Sequence, residues 1–219
     1  MNDMFYGGKT TMDIWEQAKT DLLSTNRADE CLSFLKFLFD KGFNSVNFPI
    51  SEDLNKKQGL FTHSLQTYSF AKIFGNKIRL GKKDSTAVIT VFHDVGYLGW
   101  SFSDKEMSSF KEGIVENKFS TFNFDVPVYL KSILLIKEFV PLTWPEIQAI
   151  YINGVVETQG FTLEVRKVFK MNPLAFILCA SNWFNMYGTF ITDELRDSSK
   201  YYATSSTESG RDWLTGMLG

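Results

Sequence analysis

Residues 84–100, DSTAVITVFHDVGYLGW, place a carboxylate at the end of a helix that has almost no polar face. Ala87, Val88, Ile89, Val91 and Phe92 are apolar on nearly every side, and such a helix is buried rather than laid on a surface. Asp84 is expected to cap its start, and Gly96 to close its end in a left-handed conformation. Asp94 then falls in the last turn, where the macrodipole is negative and an anion costs roughly 0.3–1 kcal/mol. Burial raises that cost, because an ionised group removed from water must be paired, protonated or bound to metal. Whatever this chain folds into must answer Asp94.

The remaining sequence can bury such a helix. Its 219 residues are 44% hydrophobic and 22% charged, which predicts one globular domain with a sizeable core. A single all-α domain over residues 1–219 is expected, with its core at about 21–187 and a peripheral Ser/Thr-rich tail at 198–219. A net charge of -2 gives no general attraction to duplex nucleic acid or to an anionic membrane, so any phosphate binding must be local. Cys31 and Cys179 lie far apart in apolar helical patterns, which argues for buried thiols in a reducing compartment. The N-terminal MNDMFYGGKTTMD is not built like a targeting segment, and the longest apolar run, 173–180, is too short to span a bilayer. The protein is expected to be cytoplasmic.

Helical periods recur along the chain. Thr10 with Asp13 resembles a capping box opening a helix to residue 23, and a second helix over 28–39 ends at Gly42. Residues 43–59 have no helical period and read as a surface loop. A third helix over 60–74 repeats Leu60, His63, Thr67, Phe70 and Phe74 on one face, so His63 points inward. The basic link at 75–84, with Lys77, Arg79, Lys82 and Lys83, reads as a solvated turn or as a phosphate patch. Ser103 with Glu106 opens a helix to about 116, and others are expected over 127–140 and, capped by Thr143 with Glu146, to about 153. Phe161, Leu163 and Val165 alternate as in a strand, which predicts a short β element near 155–170. Asn172 and Pro173 then open a second buried helix through residue 187, with Ser181 and Asn182 its notable polar pair.

The chain has two histidines, His63 and His93, thirty positions apart on apolar helices, and one is followed directly by Asp94. A lone histidine on such a face is usually a satisfied core residue. Two with a carboxylate are the ligand types that hold Mn, Fe, Co, Ni or Zn while leaving positions open for water and substrate.

The motifs GLFTHSL around His63 and VFHDVG at the end of the buried helix resemble the HD superfamily of metal-dependent phosphohydrolases, and the closest likeness is to small bacterial and phage members. The resemblance implies an all-helical fold, covering about 21–187, and one divalent metal ion on His63, His93, Asp94 and a fourth position. The family has Asp at the fourth position, where this chain has Asn182, a neutral and weaker oxygen donor. Position 97, often Lys or Glu in members, is Tyr97. Histidines that build a second metal site would fall near Val128 and Asn153 and are absent, so one metal is expected (Mn, Fe, Co, Ni, Zn or Mg).

Two functions follow. In the first, a phosphohydrolase acts on a nucleotide or another phosphoester, with Asp94 orienting the attacking water and Lys82 or Lys83 meeting a phosphate. In the second, a degenerate HD fold without turnover, its metal retention weakened or lost, serves as a nucleotide-binding or protein-interaction module. A third possibility is a plain His-Asp pair in the core. Asn182→Asp is expected to tighten a metal site, and Asp94→Ala to abolish it.

Overall fold

The structure, a computed structural model, describes residues 10–44, 47–49, 57–77, 80, 82–98, 127–159 and 162–187. The helix expected at 103–116, the aromatic run at 119–124 and the tail at 198–219 lie outside them. Among the described residues eight helices pack together: α1 (Thr11–Leu23), α2 (Ala28–Asp40), α3 (Leu60–Lys77), α4 (Lys83–Phe92), α5 (Val128–Phe139), α6 (Trp144–Gln159), α7 (Leu163–Met171) and α8 (Pro173–Tyr187). The all-α expectation holds. No described helix is long and apolar enough to cross a membrane.

Local chemistry accounts for many of the boundaries. Thr10 Oγ1 accepts from Asp13 N at 3.2 Å while Asp13 Oδ2 accepts from Thr10 N at 2.9 Å, the reciprocal capping box that starts α1. Gly42, at φ 87°, closes α2, and Phe43 N donates back to Leu38 O at 2.9 Å. Only a residue without a Cβ takes that left-handed turn cheaply, and the return bond satisfies a helix-end carbonyl. Asn172 Oδ1 caps α8 by accepting from Leu174 N at 3.1 Å, and Pro173 needs no donor at the first helical position.

The central helix is where the sequence places it. Every residue from Ser85 to Phe92 is buried, and α4 touches α1, α3, α6 and α8. Its threonines survive burial by bonding back along the helix, Thr86 Oγ1 to Lys82 O at 2.8 Å and Thr90 Oγ1 to Thr86 O at 2.7 Å. Both expected ends differ in detail. Lys82 is the N-cap and Asp84 sits inside the first turn, so Asp84 favours the positive helix end by charge rather than by a capping bond. At the other end the chain runs on into a 3-10 turn, Val95–Leu98, and Gly96 is not left-handed. Gly96 serves a close approach instead: its N donates to Ser132 Oγ at 2.9 Å, and a Cβ there would collide with the backbone of α5 at Val128 O.

Two expectations are corrected. The β element near 155–170 is helical: α6 continues to Gln159, and Thr162 Oγ1 starts α7 by accepting from Val165 N at 3.3 Å. Val165 and Phe169 are the buried residues of α7 while Leu163 is 69% exposed, so the true period is four rather than two. Strands occur instead in the segment read as a loop, where β1 (Asn47–Pro49) pairs antiparallel with β2 (Lys57–Gly59), Asn47 opposite Gly59.

Candidate metal centre

Three helices and one helix end deliver polar groups to one buried point. His63 is on the first turn of α3, and His93 is the C-cap of α4 with Asp94 immediately after it. Asn182 comes from the middle of α8, and Glu157 from the last turns of α6. His63, His93, Asp94 and Asn182 are all buried.

Asp94 Oδ2 lies 3.0 Å from His93 Nε2 and 3.2 Å from His63 Nε2. One ligand atom from each of the three falls within 4.8 Å of the others, a set able to hold a metal ion. His93 Nε2, Asp94 Oδ2 and Asn182 Oδ1 are buried atoms with no hydrogen-bond partner beyond the cluster itself. Leaving such atoms unsatisfied costs about 1–3 kcal/mol each, more for charged groups. Lone pairs converging on a common point are what a cation requires, so the donor set fits a divalent ion. Of the sequence-predicted ligands, the structure brings all four together.

The ring nitrogens facing away from Asp94 differ. His93 Nδ1 is 2.9 Å from Thr90 O, a carbonyl that only accepts, so Nδ1 carries a proton and Nε2 of the neutral ring has its lone pair toward the site. His63 Nδ1 is 3.0 Å from Asn185 Nδ2, whose two N–H groups are shared among Nδ1, His63 O and Thr67 Oγ1, each at 3.0 Å. An amide nitrogen has no lone pair to give, so Nδ1 accepts and the proton of neutral His63 sits on Nε2, facing Asp94.

Burial lowers the His63 pKa, outweighing the attraction of Asp94. Burial works on His93 as well, but the charges of Asp94 and Glu157 and the Thr90 carbonyl overcome it, and its pKa is raised. Desolvation would raise Asp94, yet the two imidazoles hold it well below the usual carboxylate range. The metal-free resting form is therefore an Asp94 carboxylate beside a readily protonated His93 and a neutral His63.

Glu157 is the residue that sequence reading missed. Its Oε1 accepts from Asn182 Nδ2 at 2.6 Å and from Asn153 Nδ2 at 2.8 Å, while Asn153 Oδ1 is 3.3 Å from Asn182 Nδ2. Glu157 is exposed as a residue, but its carboxyl is turned toward the site, and partial removal from water there together with the nearby Asp94 charge pushes it up to about 7. The signal was its four-residue spacing from Asn153, which matters only if α6 continues past 153. Tyr97 also stands near, its hydroxyl pKa raised by burial and by Asp94 and Glu157.

Lys82 and Lys83 are not brought to this point. They are exposed at the start of α4, the end opposite His93. Ten helical residues separate those ends by about 15 Å. No family model, curated protein or solved structure matches this chain.

Proposed function

We propose that the chain is an HD-like phosphohydrolase that holds one divalent ion on His63, His93, Asp94 and Asn182 and cleaves a nucleotide or another phosphoester. The observation that carries this reading is the buried convergence of two imidazoles, a carboxylate and an amide oxygen, three of whose inward atoms have no hydrogen-bond partner beyond the cluster itself. Such an ion supplies Lewis acidity toward a phosphoryl oxygen and makes water a competent nucleophile near neutral pH. Asp94 holds its negative charge between the imidazoles and orients the attacking water through its carboxylate. His93, anchored on Thr90 O through its Nδ1 proton, keeps its ring plane fixed and would hold the ion through Nε2, free of the second proton that its raised pKa favours. Lys82 and Lys83 have no part in this scheme, given their distance. A cytoplasmic setting suits Cys31 and Cys179, both buried thiols.

A second reading, a degenerate HD fold that binds a nucleotide or a protein without turnover, is favoured by one feature: position 182 is the neutral Asn182. Elemental analysis of protein purified without chelator is expected to find about one Mn, Fe, Co, Ni or Zn per chain, and Asp94→Ala to lose it. A screen of nucleotides and generic phosphoesters with each metal restored is expected to show metal-dependent product release. Metal without turnover favours the second reading. Absence of metal, with no thermal shift on adding any of these ions, overturns the metal site and leaves a structural His-Asp pair.

A further inference from the structure

Asn182 is the weak member of the proposed ligand set only if its amide is free to face either way, and its surroundings forbid that. Asn182 Nδ2 meets Glu157 Oε1 at 2.6 Å, and the oxygen of an ionised Glu157 carboxylate accepts but does not donate. Turned round, the amide would set its own oxygen against the carboxylate at the same distance. Asn153 closes the arrangement, donating to Glu157 Oε1 and presenting its Oδ1 to Asn182 Nδ2. With Nδ2 held on this side, Asn182 Oδ1 is left buried, turned toward His63 and with no partner outside the cluster.

We infer that Asn182 and Glu157 work as one unit, in which Glu157 on α6 is the positioning residue that aims the Asn182 carbonyl at the metal and supplies the negative charge that position 182 lacks. This rests on the metal-site reading above. It means the centre has two carboxylates after all, Asp94 inside the ligand set and Glu157 one amide behind it. Charge-assisted donation to Glu157 also polarises the Asn182 amide and makes its oxygen a better donor to a cation. The consequence for engineering runs against the simplest expectation. An Asp at 182 would place a second carboxylate on Glu157, so Asn182→Asp alone does not tighten the site, and it needs Glu157→Gln beside it to donate a hydrogen bond in the reverse direction.

Four full-length proteins test this: the parent, Glu157→Gln, Asn182→Asp and the double variant, each stripped of metal and titrated with Co²⁺, at a pH well above the Glu157 value of about 7, while the visible absorption of the bound ion is read. Outer-shell partners of metal ligands are typically worth 10–100-fold in affinity. Glu157→Gln is expected to weaken Co²⁺ binding by about tenfold or more, Asn182→Asp to bind no tighter than the parent, and the double variant to regain parental affinity or exceed it. Melting of the metal-free proteins is recorded alongside, because a merely structural Glu157 would lower stability without showing rescue by the swap. Parental affinity in Glu157→Gln, or tightening by Asn182→Asp whatever stands at 157, overturns the inference and leaves the metal site intact. Failure of the parent itself to bind Co²⁺ overturns both.

Discussion

Two imidazole nitrogens within 3.2 Å of one carboxylate oxygen set a proton-counting problem at Asp94. His93 already has a proton on Nδ1, against Thr90 O, and needs only to be rid of a second proton on Nε2 to be a ligand. His63 is held the other way, since Asn185 Nδ2 donates toward Nδ1 and leaves the proton on Nε2. For His63 to ligate through Nε2, that proton must move to Nδ1, and Asn185 must turn its amide to accept it, giving up its contact with His63 O. The two histidines of the chain make this visible, since a long-range ¹H–¹⁵N spectrum contains two imidazoles and nothing else of that kind. Metal-free protein is expected to show one ring protonated at Nε2, assigned to His63 by its loss in His63→Gln. Adding Zn²⁺ is expected to shift that proton to Nδ1. An Nε2 proton that persists at saturating Zn²⁺ removes His63 from the ligand set. Little of this was legible in the sequence. The spacing of His63 on α3 put the ring inside the core, but which nitrogen it offers depends on Asn185, more than a hundred residues away, and helical periodicity does not report a partner's orientation.

At the scale of elements, α2 and α6 are tied together by a buried ion pair. Arg27, just before α2, donates through Nη1 and Nη2 to the two carboxylate oxygens of Glu146 at 2.9 and 2.7 Å, and through Nη1 to Pro141 O at 2.7 Å. Glu146 Oε2 also accepts from Thr143 N at 2.7 Å, so one carboxylate both starts α6 and fastens it to α2. The sequence showed the capping half, Thr143 with Glu146, because that is a local pattern. The Arg27 half joins residues 119 positions apart and leaves no periodic trace. Likewise α6 runs past the end expected at about 153, to Gln159, and Gly154 within it gives room for the Tyr129 ring of α5. Burial raises the cost of a charged Glu146, but the hydrogen bonds from Arg27, Thr143 and Ser85 more than offset it, and its pKa lies below the ordinary value of 4.5. A depressed carboxyl stabilises the fold fully above its unfolded pKa and loses that contribution as pH falls through the folded value. The pair is therefore expected to hold at neutral pH and to weaken from about pH 4.5 downward. Glu146→Gln leaves the Arg27 guanidinium buried without its partner, and a loss of about 3–5 kcal/mol is expected at pH 7. Melting curves between pH 3 and 7 check both statements, since the variant's profile should be flatter than the parent's below pH 4.5. Equal slopes would show that Glu146 is not the group being titrated.

The described helices close around α4, and the site exists because several packing contacts meet at that helix's end. Composition and periodicity made the bundle and its buried centre legible, since both follow from where apolar residues recur. They did not show how α5 is seated, because that depends on the absence of side chains at particular places. Gly96 lies two residues after Asp94, and an added Cβ would meet Val128 O, Ser132 N at 2.9 Å and Lys131 Cβ at 3.0 Å. Most of those atoms are backbone and cannot swing aside, so Gly96→Ala must push α5 away or drag the Asp94 turn off its histidines. Overpacking of this kind costs about 1–3 kcal/mol. Gly75 gives the opposite case: it is in α3, and the nearest atom to an added Cβ is Leu80 Cβ at 3.9 Å. Alanine fits there and removes the entropy penalty of glycine in a helix, a gain of roughly 0.5–1 kcal/mol. For a chain of this size each kcal/mol moves the melting temperature by about 2–4 °C. Thermal melts of the two metal-free variants are therefore expected to shift in opposite directions, Gly75→Ala upward and Gly96→Ala downward. Gly96→Ala should also weaken Co²⁺ binding, because the seat of α5 and the position of Asp94 are set by the same turn. If Gly96→Ala melts lower yet binds Co²⁺ as the parent does, the turn yields on the α5 side and Asp94 is held by its histidines alone.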